Sequence, residues 1–232
     1  DNLRFAPGDL FDEQDVQQTY SNFGRLSALK YTNIRFLENQ VGDTAKLDCY
    51  VMLTKSKHKS VAFELEGTNS AGDLGAAASV SFQNRNLFRG SEIKFRGAYE
   101  VISGLQAGYS NNNYTEYGVE TSINFPNFLF PFLSSDYKRK IRATTEFGLQ
   151  YNYQMRPEFL RTMASASWSY KWTQRQKIQH RIDLINIGFL YLPRISERFK
   201  DDFINKGQSH ILQYNYQDRL IINMGYSYHY NS

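Results

Sequence analysis

The chain has 232 residues, a formal net charge of +4 and one cysteine. So small a charge does not point to nucleic acid, no internal disulfide is possible, and no apolar run approaches the roughly 18 to 20 residues of a transmembrane helix. Yet aromatics reach 16%, with 17 Tyr and 17 Phe at a mean hydropathy of -0.57, the profile expected where only alternate residues meet lipid.

Residues 1–58 read as a small α+β unit. In "GDLFDEQDVQQTYSNFGRLSAL" the apolar positions Leu10, Phe11, Val16, Tyr20, Phe23 and Leu26 recur at helical spacing. They predict a helix from about Asp12 and a second short one after Gly24. The acidic start, Asp12 to Asp15, suits a helix N-terminus, where carboxylates meet the positive end of the peptide dipoles. "KYTNIRFLEN" and "AKLDCYVMLTK" predict two strands joined by a turn at Gly42 and Asp43. Cys49, in the apolar run "LDCYVML", is expected to be a buried core thiol.

From Ser60 the period becomes two. "SVAFELEG" sets Val61, Phe63 and Leu65 against Ala62, Glu64 and Glu66. "GAAASVSFQN" alternates through Ala76, Ala78, Val80 and Phe82; "EIKFRGAYEV" sets Ile93, Phe95, Tyr99 and Val101 against Glu92, Lys94, Arg96 and Glu100. "YGVETSINF" follows, with Glu120 and Asn124 on its polar side. The fifth strand is "KIRATTEFGLQYNYQ", residues 140–154, with Ile141, Ala143, Thr145, Phe147, Leu149, Tyr151 and Tyr153 on one face and Arg142 and Glu146 on the other. "LRTMASASWSYKW" is the sixth and "HRIDLINIGFLYLP" the seventh, with a phase slip near Leu184 and Ile185 that predicts a bulge. "HILQYNYQDRLIINMGYSYHY" supplies an eighth, or an eighth and ninth. Between them lie "TNSAGDLG", "NRNLFRG", "SGLQAGYSNNN", "QMRPE" and "RISERFKDDFINKG", read as connections that alternate long and short, as around a membrane barrel.

A soluble sandwich also alternates, so the period alone does not decide. Three features favour a membrane barrel. The strands are about 10 to 14 residues long, against five or six usually. Ionic groups such as Arg96, Glu100, Arg142 and Glu146 stand mid-strand, as beside a water-filled lumen, where they are expected to pair with one another. Tyr151, Tyr153, Trp168, Trp172, Phe189 and Tyr191 lie towards strand ends, as in an interfacial aromatic girdle. The sequence stops at "SYHYNS", just past a patterned segment, and is expected to be the front part of a larger barrel.

Residues 1–102 resemble a known family. "FAPGDLFDEQDVQQTYSNFGRLSALKYTNIRF" followed by "KLDCYVML" is similar to a polypeptide-transport-associated (POTRA) domain: Phe5 and Gly8 at the entry, a helix, Leu26, Leu29 and Tyr31 at the turn, then two closing strands. Next comes "VAFELEGTNSAGDLGAAASVSFQNRNLFRGSEIKF", which resembles the first three barrel strands of BamA/TamA-like outer-membrane assembly factors. The shared signature is a Gly-rich hairpin before an Asn-Leu-Phe-x-Gly turn, here Asn86, Leu87, Phe88, Arg89 and Gly90. The later Arg-Gly-Phe/Tyr signature of that family is absent, and the Asn/Tyr-rich style is similar to the TamA-like lipoprotein branch as well as to BamA.

The resemblance implies a POTRA-like periplasmic domain over 1–58 and antiparallel transmembrane strands over 59–232, about eight or nine of a 16-stranded barrel. It implies an outer-membrane location in a Gram-negative bacterium and a role in inserting other barrels. The first barrel strand, Val61, Ala62, Phe63, Glu64, Leu65, Glu66 and Gly67, would be one lip of a lateral seam that templates substrate strands by edge pairing. Gly67, Gly72 and Gly75 would keep that hairpin pliable, though the stretch also reads as a plain loop. Partners would be nascent outer-membrane proteins, periplasmic or lipoprotein subunits of an assembly complex, and lipid or lipopolysaccharide, with no nucleic acid.

No enzyme, cofactor or metal site is expected. His58, His180, His210 and His229 lack metal-like spacing, and Asp201 and Asp202 sit in a charged loop. Two other functions fit part of the chain. A passive porin or transporter barrel accounts for 60–232 but not for the α+β unit. An outer-membrane lipase would need a Ser and a His together, for which Ser167 and His180 are candidates by residue type alone.

Overall fold

The computed structural model describes the chain except residues 1, 42–43, 71–72, 89, 104–112, 135–137, 139–140, 142, 175–176, 202–215 and 232. Among the positions singled out above, Gly42, Asp43, Gly72, Arg89, Lys140, Arg142, Asp202 and His210 lie outside the described residues. The chain divides into two units, residues 1–59 with 84–92 and residues 60–83 with 93–232.

The first unit is one helix on a hairpin. α1 (Glu13–Gly24) starts at the N-cap Asp12, whose carboxylate accepts the Gln14 N–H at 2.7 Å and so satisfies one of the donors a helix start leaves free. β1 (Leu29–Val41) and β2 (Thr44–Lys55) pair antiparallel. Residues 25–28 do not form the expected second helix. Leu26 N–H donates to Phe23 O at 3.0 Å and Leu29 N–H to Leu26 O at 2.9 Å, tight turns that deliver the chain straight into β1.

Tyr20 joins helix to strand: its hydroxyl receives the Ile34 N–H at 2.8 Å and donates to the Ile34 carbonyl at 3.3 Å. Ile34 beneath it is 8% exposed, and Phe36 is covered by the rings of Phe5 and Phe11. Cys49 is not a core thiol. It pairs with Phe36 but is exposed on β2, because α1 packs over β1.

The unit also contains residues 84–92, the end of one later strand, the turn after it and the start of the next. Arg85 N–H donates to His58 O at 2.7 Å, and Arg85 Nη1 donates to Lys57 O at 3.2 Å. In this turn Phe88 holds φ 49 and Gly90 φ 119. Glycine adopts that region freely, whereas a phenylalanine does so at a cost of about 1–2 kcal/mol.

The second unit is one eight-stranded sheet: β3 (Lys59–Ser70), β4 (Asp73–Leu87), β5 (Ser91–Ser103), β6 (Asn113–Phe125), β7 (Thr144–Met155), β8 (Phe159–Gln174), β9 (Ile178–Ile195) and β10 (Arg219–Tyr230). Each strand lies beside the next in chain order, and the described ladders are antiparallel. Among the described residues the sheet is open, ending on β3 and β10.

Several boundaries differ from expectation. β3 and β4 continue into "TNSAGDLG". The fifth barrel strand starts at Thr144, not Lys140. Of the last segment, the described part is a strand from Arg219; its first residues, 210–215, lie outside the described residues. Connections do not alternate long and short: the long one at 126–143 leaves the same end of the sheet as the short ones after β4 and β8.

The bulge in the seventh barrel strand is present. Trp168 pairs with Ile185 and Ser169 with Asp183, so Leu184 is passed over, and the β10 ladder shifts at the same place. The extra residue rotates the strand by half a period. Ile178, His180 and Ile182 before it share a face with Ile185, Ile187, Phe189 and Tyr191 after it. A second shift near Leu160 takes up Pro193, which has no N–H for a ladder.

Candidate functional site

The site has two parts, a strand edge and a pair of unlike faces. Among the described residues β3 neighbours β4 alone, and its apolar side chains are open: Phe63 is 79% and Leu65 86% exposed. Its polar face is tied down. Glu64 accepts the Ser79 hydroxyl at 3.0 Å and meets Arg96 at 3.4 Å, linking β3, β4 and β5.

Gly67 and Gly75 differ in kind. A Cβ on Gly67 would meet nothing within 4 Å, whereas one on Gly75 would lie 2.5 Å from Thr68 Oγ1 and 2.9 Å from the Val101 carbonyl. Gly75 is therefore a close-packing position where three strands converge, and there the fit is tight.

On the apolar face the register aligns residues into rows across β6 to β10. One end carries Tyr117, Tyr153, Thr162 and Tyr191, then Val119, Tyr151, Ala164, Phe189 and Leu220. The middle row is Thr121, Leu149, Ala166, Ile187 and Ile222. Beyond it lie Ile123, Phe147, Trp168 and Ile185, then Tyr170 and Tyr226, then Trp172, His180 and Tyr228. The six aromatics of the expected girdle thus separate into two bands: Tyr151, Tyr153, Phe189 and Tyr191 at one end, Trp168 and Trp172 towards the other. Tyr117 stacks on Tyr153 at 4.8 Å and Trp172 on His180 at 4.8 Å. Small and aliphatic groups occupy the belt between.

The opposite face is polar and largely self-paired. Glu116 accepts from Asn152 Nδ2 at 2.6 Å, from Gln154 Nε2 at 3.0 Å and from the Tyr114 hydroxyl. Arg181 meets Asp183 at 2.7 Å. Glu146 pairs with Lys171; its expected partner Arg142 is outside the described residues. Met163 and Leu190, paired with each other, interrupt this face near one end. Parity alone puts Glu116, Asn152 and Gln154 on one face; that they meet required the register, which sets Glu116 opposite Gln154 and diagonal to Asn152.

Ser167 and His180 are not brought together. Ser167 pairs with Asn186 on the polar face, while His180 pairs with Trp172 on the apolar face and holds the Tyr226 hydroxyl at 2.8 Å. Asn86 and Leu87 end β4, and Phe88 and Gly90 form the turn after it.

No family model matches the chain, and no curated protein matches it. Among solved structures it is similar to the crystal structure of BamA from Haemophilus ducreyi lacking POTRA domains 1–3, at a TM-score of 0.50 and 15% identity. The match takes in 100% of this chain and 40% of that one, so the chain spans less than half of that BamA's length. At this identity the likeness is one of fold: an antiparallel sheet of the BamA barrel type.

Proposed function

We propose that the chain belongs to an outer-membrane protein assembly factor of the BamA/TamA kind, with β3 as the lip that receives substrate strands. The observation that carries the reading is an open-edged, BamA-like sheet with one apolar and one ion-paired face. From the Thr162 row to the Trp172 row, the outer limits of the two aromatic bands lie ten residues apart along β8, about 33 Å at about 3.3 Å per residue. At the usual barrel tilt of about 40° this is about 25 Å across the membrane, the height of a barrel's apolar band. The apolar rows then meet acyl chains, and the Glu64, Glu116, Glu146 and Asp183 clusters face water.

In hydrocarbon a strand must arrive with its backbone already bonded. An open β3 edge offers such bonds to a nascent strand with little demand on its side chains. The mechanism needs no nucleophile or metal, so the proposed role is non-enzymatic. The helix and hairpin of the first unit serve as the POTRA-like module in the periplasm. There they engage nascent barrels or accessory subunits, and lipid or lipopolysaccharide surrounds the sheet.

The test is reconstitution of the full-length protein in liposomes with an unrelated unfolded barrel. Accelerated folding is expected, and a cysteine on the β3 edge, for instance at Ala62, should crosslink to the substrate's terminal strand. Conduction of small solutes with no acceleration and no crosslink would leave a passive porin instead.

A further inference from the structure

Residues 126–133, "PNFLFPFL", follow β6 at the end of the sheet where β8 and β9 are joined by only three residues. The segment folds back on the apolar face. The Thr145 hydroxyl donates to Asn127 O at 2.8 Å and accepts the Leu129 N–H at 2.9 Å. The Tyr170 hydroxyl donates to Leu129 O at 3.1 Å. Thr145 and Tyr170 pair with each other across the ladder and are the sheet's best-covered groups on that face.

Phe128 meets Tyr170 edge-on at 4.7 Å, Phe128 and Phe130 stack at 6.2 Å, and Phe130 leads to Phe132 at 5.7 Å. Central backbone groups are thus satisfied against the sheet, and Pro126 and Pro131 bring no N–H to satisfy. What remains is a ridge of rings ending on Phe132, 86% exposed. It lies at the same end, and on the same face, as the Trp168 and Trp172 band. The sequence then reads Lys138-Arg139-Lys140-Ile141-Arg142, with Asp136 the one acidic group between Phe132 and Arg142. Aromatic rings beside clustered cations partition into the headgroup zone of an anionic bilayer: the rings bury apolar area, and the cations attract phosphate.

Building on the membrane reading above, we infer that residues 126–133 are an interfacial anchor that inserts Phe132 into the adjoining phospholipid leaflet. The cationic run from Lys138 onward adds attraction for anionic headgroups. Phospholipid is the occupant because the ridge extends an apolar face that ends in an aromatic band, and because the charges that follow it in the sequence are almost all of one sign. The anchor sets how deep this end of the sheet sits in its leaflet.

The experiment uses the full-length protein with Cys49→Ser and one new cysteine, Phe132→Cys, Leu149→Cys or Ser165→Cys, each carrying an environment-sensitive fluorophore. Vesicles contain phosphatidylcholine and phosphatidylglycerol, with quenchers shallow or deep on the acyl chain. For insertion about 5–10 Å below the headgroups, quenching at 132 should be about threefold stronger from the shallow position. Leu149 should favour the deep quencher, and Ser165 should respond to neither. Quenching at 149 with none at 132, where aqueous iodide reaches the label, overturns the anchor and leaves the membrane reading standing. Loss of quenching at both overturns both. Omitting phosphatidylglycerol should weaken the signal at 132 alone; an unchanged signal overturns the headgroup part.

Discussion

The hairpin β1–β2 and the sheet β6–β10 are built on the same alternation, yet the two end in different surroundings. In the hairpin a helix lies on one strand, and Ile34 and Phe36 are covered by Tyr20, Phe5 and Phe11. In the sheet the equivalent rows, such as Leu149, Ala166 and Ile187, have no helix over them among the described residues. Ile187 is 39% exposed although it sits mid-strand among aliphatic neighbours. Alternation therefore specifies that a strand has two faces. It does not specify what covers the apolar one, and that choice separates a core from a lipid surface.

The sharpest way to break the contrast is deletion of Leu184. Without the bulge, Ile185, Ile187, Phe189 and Tyr191 would turn to the polar face together, and insertion into liposomes, followed by heat-modifiable gel mobility, should be lost. Next is Ile187→Arg. At the centre of a lipid-facing belt an arginine costs about 2–4 kcal/mol, read from urea titration of liposome-folded protein; in a water-exposed sheet it would cost almost nothing.

Gly75→Val should destabilise by about 1–3 kcal/mol through overpacking against Thr68 and Val101. Gly67→Ala, with open space around it, should be neutral or stabilise by up to about 1 kcal/mol. On the hairpin side, Asp12→Ala removes the α1 cap at about 1 kcal/mol, seen by thermal melting of the full chain. Lys171→Met should be smallest, under about 1 kcal/mol, because its partner Glu146 keeps access to water.

Much of the site was legible from residue order. The strand phases and the slip at Leu184 came from parity alone, because a pleated strand sends successive side chains to opposite faces whatever surrounds it. Cys49 was misread because an apolar run says nothing about how far a neighbouring helix reaches. The fifth barrel strand was extended too far, to Lys140, because alternation continued past the point where Thr145 and Tyr170 are capped by the returning segment 127–130. Ser167 and His180 fell to opposite faces because the ladder sets His180 opposite Trp172, five residues from Ser167 along β8 and so of the other parity.

By itself the sequence determined the faces, the approximate strands, the bulge and the aromatic abundance, all of which are local consequences of backbone geometry and side-chain type. Tertiary structure alone decided which strands stand at the edges, that the aromatics separate into two bands, that Gly75 is sterically required, and that "PNFLFPFL" folds back onto the sheet. Those features depend on register and on contacts between residues far apart in the chain, and no local pattern encodes such distances.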